Sequence, residues 1–162
     1  MKILGIDPGY ARAGWGIISS DSRQLKFIVA GCLETPKEMP HAERLQSLSL
    51  ALDKIIKKYQ PQILAIEDLF FFKNLKTAIK VAESRGVILA KAFEYQLTIY
   101  EFTPLQIKQA ITGYGRADKN QIQQMVKIIL KQPNIIKPDD AADAVAVAIT
   151  CAHIKSAFIS KR

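Results

Sequence analysis

Asp7 closes the apolar run KILGID, Glu67 closes QILAIE, and Asp139, Asp140 and Asp143 crowd the start of PDDAADAVAVA. A carboxylate beside an apolar run is costly to bury unless something compensates its charge. Acids at a helix start favour the positive end of the dipole by about 0.3–1 kcal/mol each, and Asp139 is read as such a cap. Asp143 is harder to explain that way, because Ala141, Ala142, Ala144 and Val145 surround it. In a helix Asp140 and Asp143, three apart, share a face,. Asp139 and Asp143, four apart, share one too, so spacing leaves both pairings open,. Carboxylates gathered in one cleft raise one another's pKa values, and divalent cations reverse that effect. An all-oxygen ligand set suits Mg²⁺, with Mn²⁺ as substitute. His41, His153, Cys32 and Cys151 have no partner at metal-ligand spacing. Two such ions about 4 Å apart activate a water and stabilise the leaving oxygen of a phosphodiester. The chemistry indicated is metal-dependent phosphodiester hydrolysis.

For these acids to meet, the elements that carry them must converge. KILGID, WGIIS and LKFIVAGCLE read as strands, with SDSRQ as a turn, forming an antiparallel meander over residues 1–35,. Leu45, Leu48, Leu52, Ile55 and Ile56 recur at helical spacing from Ala42 to Tyr59, and Pro61 follows the stop,. QILAIE is a buried strand, Leu75 to Phe93 a long helix whose weak point is Gly86, and LTIYEF a last strand,. Thr103-Pro104 starts a helix, GYGRADKN breaks it, QIQQMVKIIL forms the next, and Asp139 to Phe158 forms the last,. This order predicts an α/β domain over residues 1–158 with a mixed five-stranded sheet flanked by helices, and a short tail over 159–162,. If the first and fourth strands are parallel neighbours, Asp7 and Glu67 emerge at one sheet edge, where open α/β sheets place their sites.

The chain has a formal charge of +8 and 49% hydrophobic residues. That balance excludes a largely disordered chain and favours an acidic partner such as nucleic acid. No apolar run approaches the roughly 18 residues of a membrane span, and Asp7-Pro8 interrupts the N-terminal run before it resembles a signal peptide,. The expected location is cytoplasmic, with both thiols reduced. Lys108, Arg116, Lys119, Lys127, Lys131 and Lys137 face few acids in sequence, and the glycines of GYGRADK suit a loop that approaches phosphates,. Solvated helix faces produce such runs too, and Lys119 has Asp118 beside it as a local ion-pair partner,.

GIDPG at 5–9, AIE followed by F and KN, KQAITGYGRADKNQI and DAADAVAVAIT occur in one order. Together they resemble the RuvC family of Holliday junction resolvases from residue 3 to about 153. The resemblance implies a ribonuclease H-like fold, a homodimer, and Mg²⁺-dependent nicking of two opposing strands of a four-way DNA junction, with two ions per subunit. It implies an acid quartet at Asp7, Glu67, Asp140 and Asp143, both catalytic and metal-binding, and so chooses Asp140 over Asp139. It implies DNA contacts by Phe70, Lys108 and Lys119, and action with the RuvA–RuvB branch-migration proteins; the charge pattern adds Arg116 to the DNA-binding set. Tyr10 departs from the family pattern, which has a small residue after DPG, and is expected to narrow the mouth of the site. Two other readings share some of these features: a ribonuclease H-like nuclease of structured RNA, and a junction-binding protein without catalysis.

Phe70, Phe71 and Phe72 are consecutive. In an extended stretch they cannot all face a core, since successive side chains point in opposite directions. An exposed aromatic beside a basic groove is a stacking platform for an unpaired base, worth roughly 1–3 kcal/mol. Phe70→Ala should therefore bind an intact junction nearly as well and cut it about ten- to a hundred-fold more slowly. A junction already unpaired at its crossover should restore much of the rate. A sharply lowered melting temperature without rescue would instead identify Phe70 as a core anchor.

Overall fold

The structure, a computed structural model, describes residues 1–21, 24–36, 38–68 and 75–159. Alternation along two strands decides where the acids point. In β1 (Lys2–Asp7), Leu4 and Ile6 join a core with α1 (His41–Tyr59) and α2 (Leu75–Glu94), while Ile3 joins a core with α5 (Asp139–Ile159). In β4 (Ile63–Glu67), Leu64 and Ile66 face the first core, and Ile63 and Ala65 the second. Side chains alternate with period two, so Asp7 and Glu67 fall on the α5 face. The strands are parallel neighbours, with Gly5 opposite Ala65 and Ile6 opposite Ile66. Their terminal acids therefore emerge side by side.

The remaining strands are β2 (Arg12–Ser20), β3 (Leu25–Glu34) and β5 (Thr98–Phe102), and the five-stranded sheet runs β3-β2-β1-β4-β5. β1, β2 and β3 form an antiparallel meander, and β4 and β5 are parallel to β1. The mixed sheet matches the expectation from sequence, except that β2 starts earlier, at Arg12 rather than Trp15. Arg12 lies before the apolar run WGIIS, yet it pairs opposite Glu34.

Helix α5 lies directly on the sheet, with Ala141, Ala144, Val145, Ala148 and Ile149 buried. Its distance is set by glycines beneath it. A Cβ on Gly5 would lie 2.0 Å from the Ala144 carbonyl oxygen, and one on Gly14 would lie 1.9 Å from that of Asp140. α3 (Pro104–Thr112) and α4 (Lys119–Ile129) pack against the same helix through Ile107, Ile111, Ile122 and Val126. Both begin with capping boxes, Thr103 with Gln106 and Asp118 with Gln121, which fix where Lys108 and Lys119 leave the backbone,. Asp118 is therefore committed to its cap.

Gly14→Ala should force α5 away from the sheet, since backbone cannot yield as a side chain tip can. Overpacking of this kind costs about 1–3 kcal/mol, so the thermal midpoint should drop by several degrees, with loss of metal-dependent activity. An unchanged midpoint would show that α5 does not rest on Gly14.

Candidate active site

Carboxylate oxygens of Asp7, Asp140 and Asp143 lie within 4.8 Å of one another, at the spacing that could hold a metal ion. Glu67 is connected to this group by a hydrogen bond with Asp7. Helix geometry had allowed either Asp139 or Asp140 as partner to Asp143, and the structure places Asp140 in the cluster. Asp139 is the first residue of α5, and its carboxylate turns outward to Lys137 at 2.7 Å and Lys119 at 3.8 Å. It serves the helix as a first-turn charge, inside the helix and not as the residue preceding it.

The acids press on one another. Burial, then the charges of Glu67 and Asp143, push Asp7 up from 3.8 to about 8. Burial also raises Glu67, with Asp143 adding to the effect, while the hydrogen bond from Asp7 and the charge of Lys108 oppose it. The Asp7–Glu67 pair therefore shares a proton,. Asp143 is raised by burial as well, against the pull of Lys119, whose Nζ lies 3.0 Å from Asp143 Oδ2. An all-carboxylate cluster that retains a proton near neutrality lacks positive charge, and a hard divalent cation supplies it. The residues present fit such an ion.

Cations border the cluster on two sides. Lys108 and Lys119 line a cleft of about 210 Å³ with Glu67, Asp143, Pro104 and Ile122. Arg116 is exposed in the connection between α3 and α4. On the other side, Arg12 Nε lies 3.2 Å from Asp140 Oδ2, and Arg12 Nη2 lies 3.0 Å from Glu34. The Cys32 thiol also reaches Asp140 Oδ2, at 3.6 Å. Sequence reasoning missed Arg12, Glu34 and Cys32, because only the register of β2 on β3 brings them together beneath α5. Phe70 lies outside the described residues. Tyr10 does not face the acids: its ring is packed by His41 at 5.6 Å, by Arg44 at 4.8 Å and by Lys80 at 4.5 Å, against α1 and α2.

The family profile "Crossover junction endodeoxyribonuclease RuvC" matches residues 3–151. The chain belongs to the RuvC family. The Caldicellulosiruptor saccharolyticus member is 54% identical over 157 residues, covering 96% of this chain and 93% of its own. That of Alkaliphilus oremlandii is 51% identical over 153 residues, covering 94% and 93%. Both are named crossover junction endodeoxyribonuclease RuvC. The solved Thermus thermophilus RuvC in complex with Holliday junction substrate superposes with a TM-score of 0.92 at 30% identity, covering 98% of this chain and 96% of that one. The yeast mitochondrial Holliday junction resolvase Ydc2, at 12% identity and TM-score 0.73, shares the fold. The chain is thus a ribonuclease H-like nuclease of a divalent-metal-dependent family, and its acids form the candidate metal site.

The raised carboxylates make metal-free stability depend on pH. In the folded chain the Asp7–Glu67 pair keeps a proton, with Asp7 raised from 3.8 to about 8, whereas the unfolded chain releases it in the ordinary carboxylate range. Between those values the folded state binds more protons, so stability is greatest at the acid end and falls as pH rises. Thermal unfolding in chelator should show this fall, and Asp7→Asn should flatten it. An equally steep fall in that variant would place the proton elsewhere.

Proposed function

We propose that this chain resolves four-way DNA (Holliday) junctions by symmetric paired nicks in recombination and repair, with Mg²⁺ held by Asp7, Glu67, Asp140 and Asp143. The observation that carries the reading is the convergence of Asp7, Asp140 and Asp143 at one sheet edge, with Glu67 bonded to Asp7, in a chain of the RuvC family. When bound, the ions supply an activated water and charge stabilisation at the phosphodiester. The protein's part is to hold carboxylates on two strand ends and one helix with little freedom to move, and to guide a phosphate to them. Lys108 and Lys119 border the cleft above the acids. Neutralising Asp143 releases Lys119 from its ion pair and frees it to contact DNA phosphate. Arg116 extends the same basic margin, and Phe70 supplies the stacking surface that opens a base step.

A homodimer through α2 provides the symmetry. Ile79, Ala82, Gly86, Ala90 and Phe93 are all exposed and recur along one face of this helix,. Ile79 is 62% and Phe93 79% accessible, while a Cβ on Gly86 would meet nothing within 4 Å. Small residues between two large apolar ones permit close approach of a second helix. A two-fold dimer presents two identical sites, matching the approximate two-fold axis of an open junction. The RuvA–RuvB branch-migration complex is the functional partner, and the cytoplasm the location. No helix among the described residues is long and apolar enough to cross a membrane.

Mapping both cut positions on an immobile junction with Mg²⁺ tests the reading. Asp7→Asn, Glu67→Gln, Asp140→Asn and Asp143→Asn should each abolish cutting while leaving junction binding largely intact. Asp139→Asn should still cut, and Gly86→Glu should give a monomer by light scattering that makes no paired nicks. Cleavage of structured RNA in preference to the junction, or an inactive Asp139→Asn with an active Asp140→Asn, would refute it.

A further inference from the structure

Asp140 differs from its neighbours in having one oxygen already occupied. Its Oδ2 is ion-paired with Arg12, whose Nε lies 3.2 Å away, and accepts from the Cys32 thiol at 3.6 Å. A carboxylate has two oxygens and about four acceptor positions, so Oδ1 remains for a cation. Arg12 is itself fixed. Its Nη2 is held by Glu34 at 3.0 Å, and the two residues are cross-strand partners in the β2–β3 register. The floor is also fixed, since Gly14, two residues beyond Arg12, lies directly under the Asp140 backbone.

Charge balance makes this arrangement informative. Arg12 alone would repel an incoming cation and compete with it for Asp140. Glu34 balances that charge, so the Arg12–Glu34 pair is close to neutral, and the metal site retains the negative charge of Asp140. What remains is geometric: a guanidinium anchored on a strand holds one carboxylate oxygen and so orients the other.

We propose that Arg12, anchored by Glu34, is a positioning residue that orients Asp140 for metal binding. The inference rests on the reading of the acids as a metal site. Partners that orient metal-ligating carboxylates are typically worth 10–100-fold in metal affinity or activity. A purely electrostatic role has the opposite sign, because removing a positive charge beside the site would tighten cation binding.

Calorimetric titration of Mn²⁺ into the full chain without DNA separates the two. Arg12→Gln should weaken Mn²⁺ binding about ten-fold or more, and Arg12→Lys should weaken it less. Glu34→Gln should weaken it in the same direction. The double variant should lose little beyond Arg12→Gln, because the two residues act as a unit. Arg12 and Glu34 side chains are 49% and 59% accessible, so folding should survive, and circular dichroism checks that it does. Unchanged or tighter Mn²⁺ binding by Arg12→Gln overturns the proposal. So does a loss confined to metal-free junction binding, which would make Arg12 a phosphate contact. Failure of the unsubstituted chain to bind Mn²⁺ would overturn the metal reading itself, a result distinguishable from either.

Discussion

Everything at this site depends on how closely α5 approaches the sheet. A helix packed on a sheet is ordinarily held away from it by the side chains between them. Here the β carbons are missing from Gly5 and Gly14, and the helix answers with Ala141, Ala144 and Ala148. Without that approach, Asp140 and Asp143 would stand a side chain's length above Asp7, beyond shared coordination. The same contact explains why α5 is apolar on nearly every side and yet carries acids. From Ala144 to Cys151 every residue is at most 1% accessible. Only its N-terminal end reaches the sheet edge, and Asp139, Asp140 and Asp143 all lie within its first five residues.

This proximity has an electrostatic consequence that the surrounding cations only partly relieve. Burial and mutual repulsion raise Asp7, Glu67 and Asp143 together. Lys119 relieves Asp143, and Arg12 pairs with Asp140, but the Asp7–Glu67 pair is left to share a proton. The two relieving cations differ in commitment. Arg12 is tied back to Glu34 on the neighbouring strand. Lys119 projects from the first turn of α4 and lies between Asp143 and Asp139. A cation arriving at the acids competes with Lys119 for Asp143, whereas Arg12 keeps its second partner. Positive charge therefore has one place where it can be exchanged and another where it is structural.

Much of the fold was legible because its signals are local. Short apolar runs ending in acids located Asp7 and Glu67, Thr103-Pro104 located the start of α3, and the periodicity of Leu48, Leu52 and Ile55 located α1. The acid cluster was half legible, since helical spacing could not separate Asp139 from Asp140. That choice depends on which acid lies over the sheet and which meets Lys137, both matters of tertiary contact. The Arg12–Glu34–Asp140 connection was not legible, because it joins residues far apart in sequence through a strand register. Lys119 beside Asp118 suggested a local ion pair. The capping box took Asp118 away, and Lys119 turned to α5 instead. Tyr10 misled in a similar way: it was expected to narrow the mouth of the site, but His41, Arg44 and Lys80 pack its ring against α1 and α2.

The sheet separates two tasks that the proposed reaction must keep in register. On one face α5, α3 and α4 present acids and basic margins, and on the other α1 and α2 form an independent core. The α2 side is also tied to the sheet beside the acids. Arg85 of α2, mostly buried, pairs with Glu101 on β5 and with Asp68 at 3.4 Å, the residue that follows Glu67. Asp68 also donates its backbone N–H to the Phe102 carbonyl at 2.8 Å. A partly buried guanidinium is stable only with such partners, since its desolvation must be offset by close acids. The end of β4 is thereby tied to α2 as well as to its neighbouring strand. If α2 is also the surface by which two copies meet, the separation of the two Glu67 side chains is set by short rigid links, strand to helix to helix to strand. Paired nicks at fixed symmetric positions require that rigidity, and a flexible tether between two competent sites would not supply it.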